Sequence, residues 1–204
     1  HCSMLDNLLV QISNLDSPIA HIIITHNIPT DLVIDLDRFP FQLTVIENKS
    51  PLGFGANHNQ AFRHCVTEYF CVLNPDVEFS EDPFDELLTH LEDKSVGIVA
   101  PVIVDTFGSI EDSYRKFPTP LLILRKALFG EKGLYKTSDT SHSIDPDWVA
   151  GMFMLLRSST YYSLNGFDEK YFLYYEDIDL CLRNWRLNKS VIVSKNVSVI
   201  HSAQ

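Results

Sequence analysis

The sequence predicts an α/β fold built on a mostly parallel sheet, and two observations support this prediction. Short apolar runs of strand length alternate along the chain with stretches of helical spacing, an order typical of strands joined by helices. Polar turns follow several of these runs, as at the ligand-binding edge of open α/β sheets. With 204 residues the chain is long enough for a well-covered core, so we expect one domain over residues 1–204.

The individual elements follow from the same two periodicities. Leucine and isoleucine recur on one helical face between residues 5 and 15, so the chain opens on a helix. Phe84 and the leucines after it predict an amphipathic helix between two strands. The predicted strands cover residues 19–25, 43–46, 69–73, 96–104 and 149–156, with an extended segment at 190–200. Further helices are predicted over residues 30–36 and 158–164. Two more are predicted to begin at Pro118-Thr119-Pro120 and near Glu176.

Composition narrows the possible functions. The formal net charge is −11 and the pI is about 5.0, whereas nucleic-acid binders normally carry a basic stripe. No apolar run approaches the roughly 20 residues that a membrane span needs. The four cysteines show no C-x-x-C spacing and the histidines no H-E-x-x-H pattern, which argues against a disulfide framework or a zinc site. We therefore expect a cytoplasmic protein with no nucleic-acid partner and no transmembrane segment.

The densest group of reactive side chains lies at residues 166–183, where a run rich in aromatics leads into Glu176 and Asp177, followed by Asp179 and Arg183. In one interpretation the acids simply occupy the first turn of a helix, where negative charge meets the positive end of the helix dipole. In the other, the aromatic run desolvates a carboxylate, which a second acid helps to tune as a base. The two interpretations do not exclude each other.

Residues 48–59 form a glycine-containing loop between a strand and a helix. Glycines allow a ligand to approach the backbone, and the helix start can offer N–H groups to a phosphate. The dinucleotide fingerprint G-x-G-x-x-G is not met, because His58 stands three residues after Gly55. On chemistry alone, a plain strand-to-helix turn is about as well supported as a phosphate site.

Asp76 follows a predicted buried strand, at the edge of the sheet where ligands bind. One or two carboxylates at such an edge can hold Mg²⁺ or Mn²⁺ against a diphosphate, since hard cations prefer oxygen ligands. In this interpretation Glu78 assists Asp76. The alternative is an Asn-Pro turn with solvated acids, which the Asn74-Pro75 dipeptide favours by itself.

The run G-F-D-E-x-x-F-x-Y-x-E-D-x-D-L-x-x-R at residues 166–183 resembles the signature of family 2 glycosyltransferases, especially the rhamnosyltransferase-like branch. The similarity extends along nearly the whole chain, to His201. It implies a GT-A type fold, a Rossmann-like nucleotide-binding domain, and inverting transfer of a hexose or deoxyhexose from a nucleotide-sugar donor. The implied acceptor is a glycan or lipid-linked hydroxyl in bacterial surface polysaccharide synthesis, reached through a peripheral contact at the inner face of the membrane.

The resemblance also implies roles for individual residues. In the family the second acid of the E-D pair is the usual candidate for the catalytic base, which is Asp177 here, with Glu176 beside it as an orienting acid. Segments resembling N-x-G-F-x-x-x-N, L-N-P-D-V and W-V-x-G carry the remaining positions. The implied donor or nucleotide contacts are Asn27, Gly53, Phe54, Gly55, Asn59 and Asp76; the implied acceptor or sugar contacts are Trp148, Gly151 and Asp179; and the implied ligands of Mg²⁺ or Mn²⁺ are Asp76 and His201.

Several features depart from the family pattern. Asn74 stands at the first position of the segment that resembles the metal motif of the family, and Pro51 stands where the family often has asparagine. Residues 21–27 match the second strand of the family, so we expect the first strand to lie outside this chain, which would then be N-terminally incomplete. His26 stands where the family usually has an aspartate that contacts the base. These departures leave open a catalytically silent nucleotide- or sugar-binding module. A nucleotidyltransferase is a second alternative, but it would need a basic, glycine-rich phosphate loop near the N-terminus, and the sequence shows none. The failed glycine fingerprint disfavours a third, a hydride-transferring Rossmann enzyme.

Overall fold

The computed structural model describes residues 2–28, 34–35, 37–120, 128 and 141–202. Strands and helices alternate along them, which confirms the α/β class; the helices predicted over residues 30–36 and after Pro118 fall mostly outside the described residues. The helices are α1 (Cys2–Ser13), α2 (Phe54–Phe62), α3 (Phe84–Glu92), α4 (Ser158–Ser163) and α5 (Glu176–Arg186); the strands are β1 (His21–His26), β2 (Gln42–Glu47), β3 (Tyr69–Leu73), β4 (Val77–Phe79), β5 (Val96–Val104), β6 (Tyr114–Arg115), β7 (Ser143–Ile144), β8 (Trp148–Val149), β9 (Phe153–Arg157) and β10 (Ser190–His201).

The central sheet is mixed. Its strands lie in the order β3-β9-β5-β10-β4, with β7 also paired to β10. The central pair, β5 and β10, is parallel as predicted, whereas β9 runs antiparallel to both of its neighbours and β4 runs antiparallel to β10. β1 and β2 form a separate parallel pair, and β6 and β8 form a short antiparallel pair. Among the described strands, parallel pairing is thus confined to β1 with β2 and β5 with β10.

The apolar run over residues 149–156 does not form the single strand that we predicted. It is divided into β8 and β9 by a turn at residues 150–152, where the N–H of Ala150 donates to the carbonyl oxygen of Ser113 at 2.7 Å. The run is apolar throughout because both strands are buried, β8 against β6 and β9 inside the large sheet. Hydrophobicity alone therefore gave no sign of the turn, which carries Gly151.

Apolar side chains cover both faces of the large sheet. Along β5, Ile98 packs on the face shared with α5, while Val99 packs on the face shared with α3, as the two-residue period of a strand requires. Leu180 of α5 and Leu87 of α3 are fully buried on those respective faces. A third cluster joins α1 to β1 and β2. None of the described helices is both long and apolar enough to cross a membrane.

Helix α5 approaches β5 closely at Gly97. A Cβ atom at this position would lie 1.8 Å from Oδ1 of Asn184, which is fully buried. The Asn184 amide in turn donates to the carbonyl oxygens of Lys189 (2.9 Å) and Ser190 (3.1 Å). One amide thus fixes both the distance of α5 from the sheet and the turn that leads from α5 into β10.

We predict that Gly97→Ala lowers the free energy of unfolding by about 1–3 kcal/mol, the usual cost of overpacking a close contact. Urea unfolding of the parent and the variant measures this change. In an Asn184→Ala background the same glycine substitution should cost less, because the clashing amide is gone. An equal cost in both backgrounds would contradict the packing explanation.

Candidate active site

Asp177 lies in the first turn of α5, with its carboxylate facing the turn between β8 and β9. Oδ1 accepts a hydrogen bond from the backbone N–H of Ile178 at 2.8 Å, and Oδ2 accepts a longer one from the N–H of Gly151 at 3.4 Å. Burial raises the pKa of Asp177 above its ordinary value, and these two N–H groups offset only part of that effect. A carboxylate of raised pKa is a better proton acceptor than a solvated one.

Glu176 precedes Asp177 and is more deeply buried, with 5% of its surface exposed. Its Oε2 atom has no hydrogen-bond partner among the described residues. Burial raises the pKa of Glu176, and the neighbouring charge of Asp177 raises it further. Two adjacent, partly desolvated acids disfavour ionisation of both at once, so the environment of each affects the proton affinity of the other.

Asp179 has a different environment from the other two acids. Its carboxylate accepts from Nε of Arg183 at 2.7 Å, and Nη1 of Arg183 donates to the carbonyl oxygens of Leu164 and Gly166. Residues two apart on a helix do not face each other, so Asp179 does not share the surface of Asp177. Asp179 therefore stabilises, through Arg183, the turn at residues 164–166. Its contact with an acceptor stays a prediction.

The aromatic segment, residues 171–175, lies exposed beside these acids. Each of its five side chains is at least 37% exposed, so the rings do not enclose the carboxylates as the sequence led us to expect. Gly151, which also contacts the Phe54 ring, lies next to Asp177 instead. Tyr174 and Tyr175 have φ values of 71° and 72°, a left-handed backbone that costs a non-glycine residue about 1–2 kcal/mol. Such strain is typical of functional segments.

Three glycines allow the loop before α2 to meet the acidic motif and the β8–β9 turn. A Cβ atom on Gly53 would lie 2.6 Å from the carbonyl oxygen of Phe172, and one on Gly55 would lie 2.6 Å from Cβ of Phe167. A Cβ atom on Gly151 would lie 2.9 Å from the ring of Phe54. The N–H of Phe54 also donates to the carbonyl oxygen of Phe172 at 3.0 Å. The predicted donor loop, residues 48–59, therefore touches both the segment that leads into the predicted base and the turn that contacts that base.

The amides of Asn59 and Asn27 are engaged within the protein. Asn59 Oδ1 accepts from the hydroxyl of Tyr161 and the N–H of Phe167, and its Nδ2 donates to the Phe167 carbonyl oxygen and to Glu169. Asn27 at the end of β1 exchanges two hydrogen bonds with the backbone of Leu52, at 2.8 and 2.9 Å. Both residues position the loop and the motif, and their direct contact with a nucleotide stays a prediction.

Asp76 and His201 lie together at the edge of the large sheet. Antiparallel pairing of β4 with β10 places His201 opposite Val77, and Nε2 of His201 lies 3.3 Å from Oδ2 of Asp76. The other oxygen, Oδ1, is buried without a hydrogen-bond partner among the described residues. One carboxylate and one imidazole suit a cation that takes its other ligands from phosphate and water, as Mg²⁺ commonly does. The residues present therefore fit the predicted metal.

Protein side chains alone do not complete that metal site. Within the described ranges, no three His, Cys, Asp or Glu side chains are arranged to hold a metal ion. Glu111 does contact the cluster, with Oε2 at 2.9 Å from Nδ1 of His201, and our interpretation of the sequence missed it. No motif marks Glu111, because it approaches His201 through the pairing of strands that are distant in sequence.

The turn at residues 150–152 contacts both Asp177 and the loop that bears Asp76. The N–H of Asn74 donates to the carbonyl oxygen of Met152 at 3.0 Å, next to Gly151, whose N–H contacts Asp177. Trp148 lies just before this turn, and its Nε1 donates to the carbonyl oxygen of Lys116 at 3.1 Å. The structure therefore brings the loop of Asp76, the base candidate and the predicted sugar-contacting segment to one turn.

This arrangement, a GT-A type α/β fold with an acidic helix start beside a carboxylate loop, defines the class of the protein. Residues 4–160 match the sequence profile of Glycosyl transferase family 2, and the chain belongs to that family. The resemblance seen in the sequence, including its rhamnosyltransferase-like character, is thereby confirmed.

Individual relatives agree with this assignment. Rhamnosyltransferase WbbL of Escherichia coli (strain K12) is 36% identical over 147 residues, 64% of this chain and 53% of that protein. The N-acetylglucosaminyl-diphospho-decaprenol L-rhamnosyltransferase of Mycobacterium tuberculosis is 25% identical over 81% of this chain and 60% of its own length. The fold matches the mannosyltransferase PcManGT of Pyrobaculum calidifontis, solved with GDP-Man and Mn²⁺, with a TM-score of 0.66 at 15% identity over 100% of this chain and 54% of that one. The chain thus spans little more than half the length of the relatives it matches.

The raised pKa of Asp177 predicts how an Asp177→Asn variant depends on pH. A carboxyl whose pKa is higher in the folded state contributes stability below its unfolded-state pKa, and that contribution is lost as the pH rises through the folded-state pKa. The amide cannot ionise, so the free energy of unfolding of Asp177→Asn, relative to the parent, should be greater at pH 7 than at about pH 3.5. Urea unfolding across this range measures the difference. A difference that does not change with pH would contradict the desolvation of Asp177.

Proposed function

We propose that this chain carries the catalytic region of an inverting glycosyltransferase that moves a sugar from a nucleotide-sugar donor to an acceptor hydroxyl. The observation that carries the proposal is the convergence at the β8–β9 turn. There the N–H of Gly151 contacts the desolvated carboxylate of Asp177, and the carbonyl oxygen of Met152 holds the loop that bears Asp76. Membership of family 2 supports transfer chemistry in place of another reaction of nucleotides.

Asp177 would act as the general base. Its carboxylate takes the proton of the acceptor hydroxyl as the new oxygen–carbon bond forms at the anomeric carbon. The bond from that carbon to the phosphate oxygen breaks on the opposite face, and its electron pair leaves with the nucleoside diphosphate. Glu176 stands beside Asp177 as the orienting acid, and burial raises the pKa of both carboxyls.

Asp76 and His201 would hold a divalent cation, Mg²⁺ or Mn²⁺, at the donor diphosphate. When bound, such a cation offsets the negative charge that develops on a leaving diphosphate. The buried, unpartnered Oδ1 of Asp76 supports this assignment, because an isolated carboxylate oxygen is costly to bury without a partner. The structure of PcManGT, which shares this fold, was solved with Mn²⁺, and this agrees with the assignment. The loop around Gly53 and Gly55 would cover the nucleotide from the other side.

The acceptor would approach over the aromatic segment, residues 171–175. Its exposed rings precede the base directly and can stack on the apolar face of a sugar. The names of the two rhamnosyltransferase relatives support a deoxyhexose as the transferred sugar and, for the mycobacterial protein, a lipid-linked diphosphate sugar as the acceptor. A cytoplasmic location with peripheral membrane contact belongs to the same proposal.

Replacement of the base tests the proposal. We predict that Asp177→Asn lowers the transfer rate by about 10²–10⁴-fold, the usual contribution of general base catalysis, because the amide cannot accept the proton. The nucleotide-sugar dissociation constant should change little, since Asp177 lies on the acceptor side of the displacement. Rates are measured by release of nucleoside diphosphate, and affinity by calorimetry.

Glu92→Gln provides the control, because Glu92 is exposed at the end of α3 and the substitution makes the same charge change. Undiminished transfer by Asp177→Asn would remove this residue from the role of base. Donor binding by a parent protein that transfers no sugar to any acceptor would favour the silent module, for which the histidine at position 26 is the specific argument. His26 pairs with Glu47 across β1 and β2, at 3.3 Å, in place of the aspartate found in the family.

A further inference from the structure

The Asp76–His201 pair has a third member, Glu111, on the other edge of the imidazole ring. Oε2 of Glu111 lies 2.9 Å from Nδ1 of His201, and Oδ2 of Asp76 lies 3.3 Å from Nε2. All three side chains are at least 74% buried, so water competes weakly for these contacts. The ring is therefore held between two carboxylates, each of which faces a different nitrogen.

The two nitrogens of this ring cannot serve the same ligand. They point away from each other, so a cation bound at Nε2 beside Asp76 is out of reach of the Glu111 oxygen at Nδ1. This agrees with the absence, among the described residues, of any three acidic, cysteine or histidine side chains placed around one metal position. Glu111 is thus a partner of the ligand and not a ligand itself.

The fold delivers Glu111 to this place through the end of β5. After Val104 the chain reverses at residues 105–109, where Oδ1 of Asp105 accepts from the N–H groups of Phe107 and Ser109, each at 2.8 Å. The returning chain is fixed by a hydrogen bond from the N–H of Glu111 to the carbonyl oxygen of Ile103 at 2.9 Å. Because β10 runs parallel to β5 and ends at His201, the return places Glu111 beside that histidine.

We propose that Glu111 is the positioning residue of the metal site. Its carboxylate accepts the Nδ1 proton of His201, which fixes the ring orientation and directs the lone pair of Nε2 toward Asp76. Carboxylate, imidazole and metal in this order recur in protein metal sites, where the outer carboxylate orients the imidazole and raises its basicity. The identity of the site as a divalent-cation site rests on the proposed function; the role of Glu111 within it does not follow from the family.

The test is the affinity for Mn²⁺ alone, measured by electron paramagnetic resonance of the free ion, with pulsed detection of ¹⁴N coupling to the bound ion. The parent should show ¹⁴N coupling from the imidazole of His201, and His201→Ala should lose it. We predict that Glu111→Ala weakens Mn²⁺ binding about 10–100-fold, the usual effect of removing an outer-shell partner. Glu111→Gln should retain more of the affinity, because its amide oxygen still accepts the Nδ1 proton.

Glu92→Ala is the charge-matched control. Glu92 is exposed at the end of α3 and has no place in the candidate metal site. Its removal should leave Mn²⁺ affinity within about twofold of the parent if the effect of Glu111 is local, since exposed charges are screened. Melting temperatures of all variants show whether each one is folded.

The outcomes separate this inference from the proposed function. Equal losses in Glu111→Ala and Glu111→Gln, or in Glu111→Ala and Glu92→Ala, would overturn the positioning role, because charge alone would then explain the effect. Unchanged Mn²⁺ affinity in Glu111→Ala, in a protein that still transfers sugar, would overturn this inference and leave the proposed function standing. Absence of ¹⁴N coupling in the parent would overturn the assignment of His201 as a ligand, and with it the role of Glu111.

Discussion

The structure of the candidate site depends on one constraint, the close approach of three chain segments where no side chain stands between them. Gly53 and Gly55 let the start of α2 lie against the backbone of Phe172 and the side chain of Phe167. Gly151 lets the turn between β8 and β9 lie against Phe54. A methyl group at any of these positions would overlap a neighbour. The base, the donor loop and the aromatic segment can therefore lie this close together only because these three residues have no side chain.

This contact makes the donor side and the acceptor side of the site parts of one packed unit. The amide of Asn59 in α2 makes three hydrogen bonds to Phe167 and Glu169 of the motif and a fourth to Tyr161 of α4, and the N–H of Phe54 holds the aromatic segment. Tyr174 and Tyr175 keep a left-handed backbone between that attachment and α5. Movement of the donor loop would therefore shift the backbone near Asp177, which lies only two residues beyond Tyr175.

Local patterns in the sequence predicted much of the fold and the principal acids. The spacing around Glu176 predicted the start of α5, and Asp76 and His201, which lie 125 positions apart, were paired only through the family resemblance. The turn at Gly151 was missed because both flanking strands are buried, so hydrophobicity does not change across it. The role of Asn59 in packing and the contact of Glu111 with His201 depend on tertiary pairing, which no spacing along one segment encodes.

The most direct test of the proposed donor site is thermal unfolding of the chain with nucleotide sugars of the UDP, dTDP, GDP and CDP series, each with and without Mn²⁺. A ligand that binds only the folded state stabilises it by about 2.7 kcal/mol at a hundredfold excess over its dissociation constant. We predict a rise in the melting temperature with one nucleotide series, dependent on Mn²⁺ and lost in Asp76→Asn. A rise that is independent of Mn²⁺ and of Asp76, or no rise with any of the four series, would contradict the proposed site.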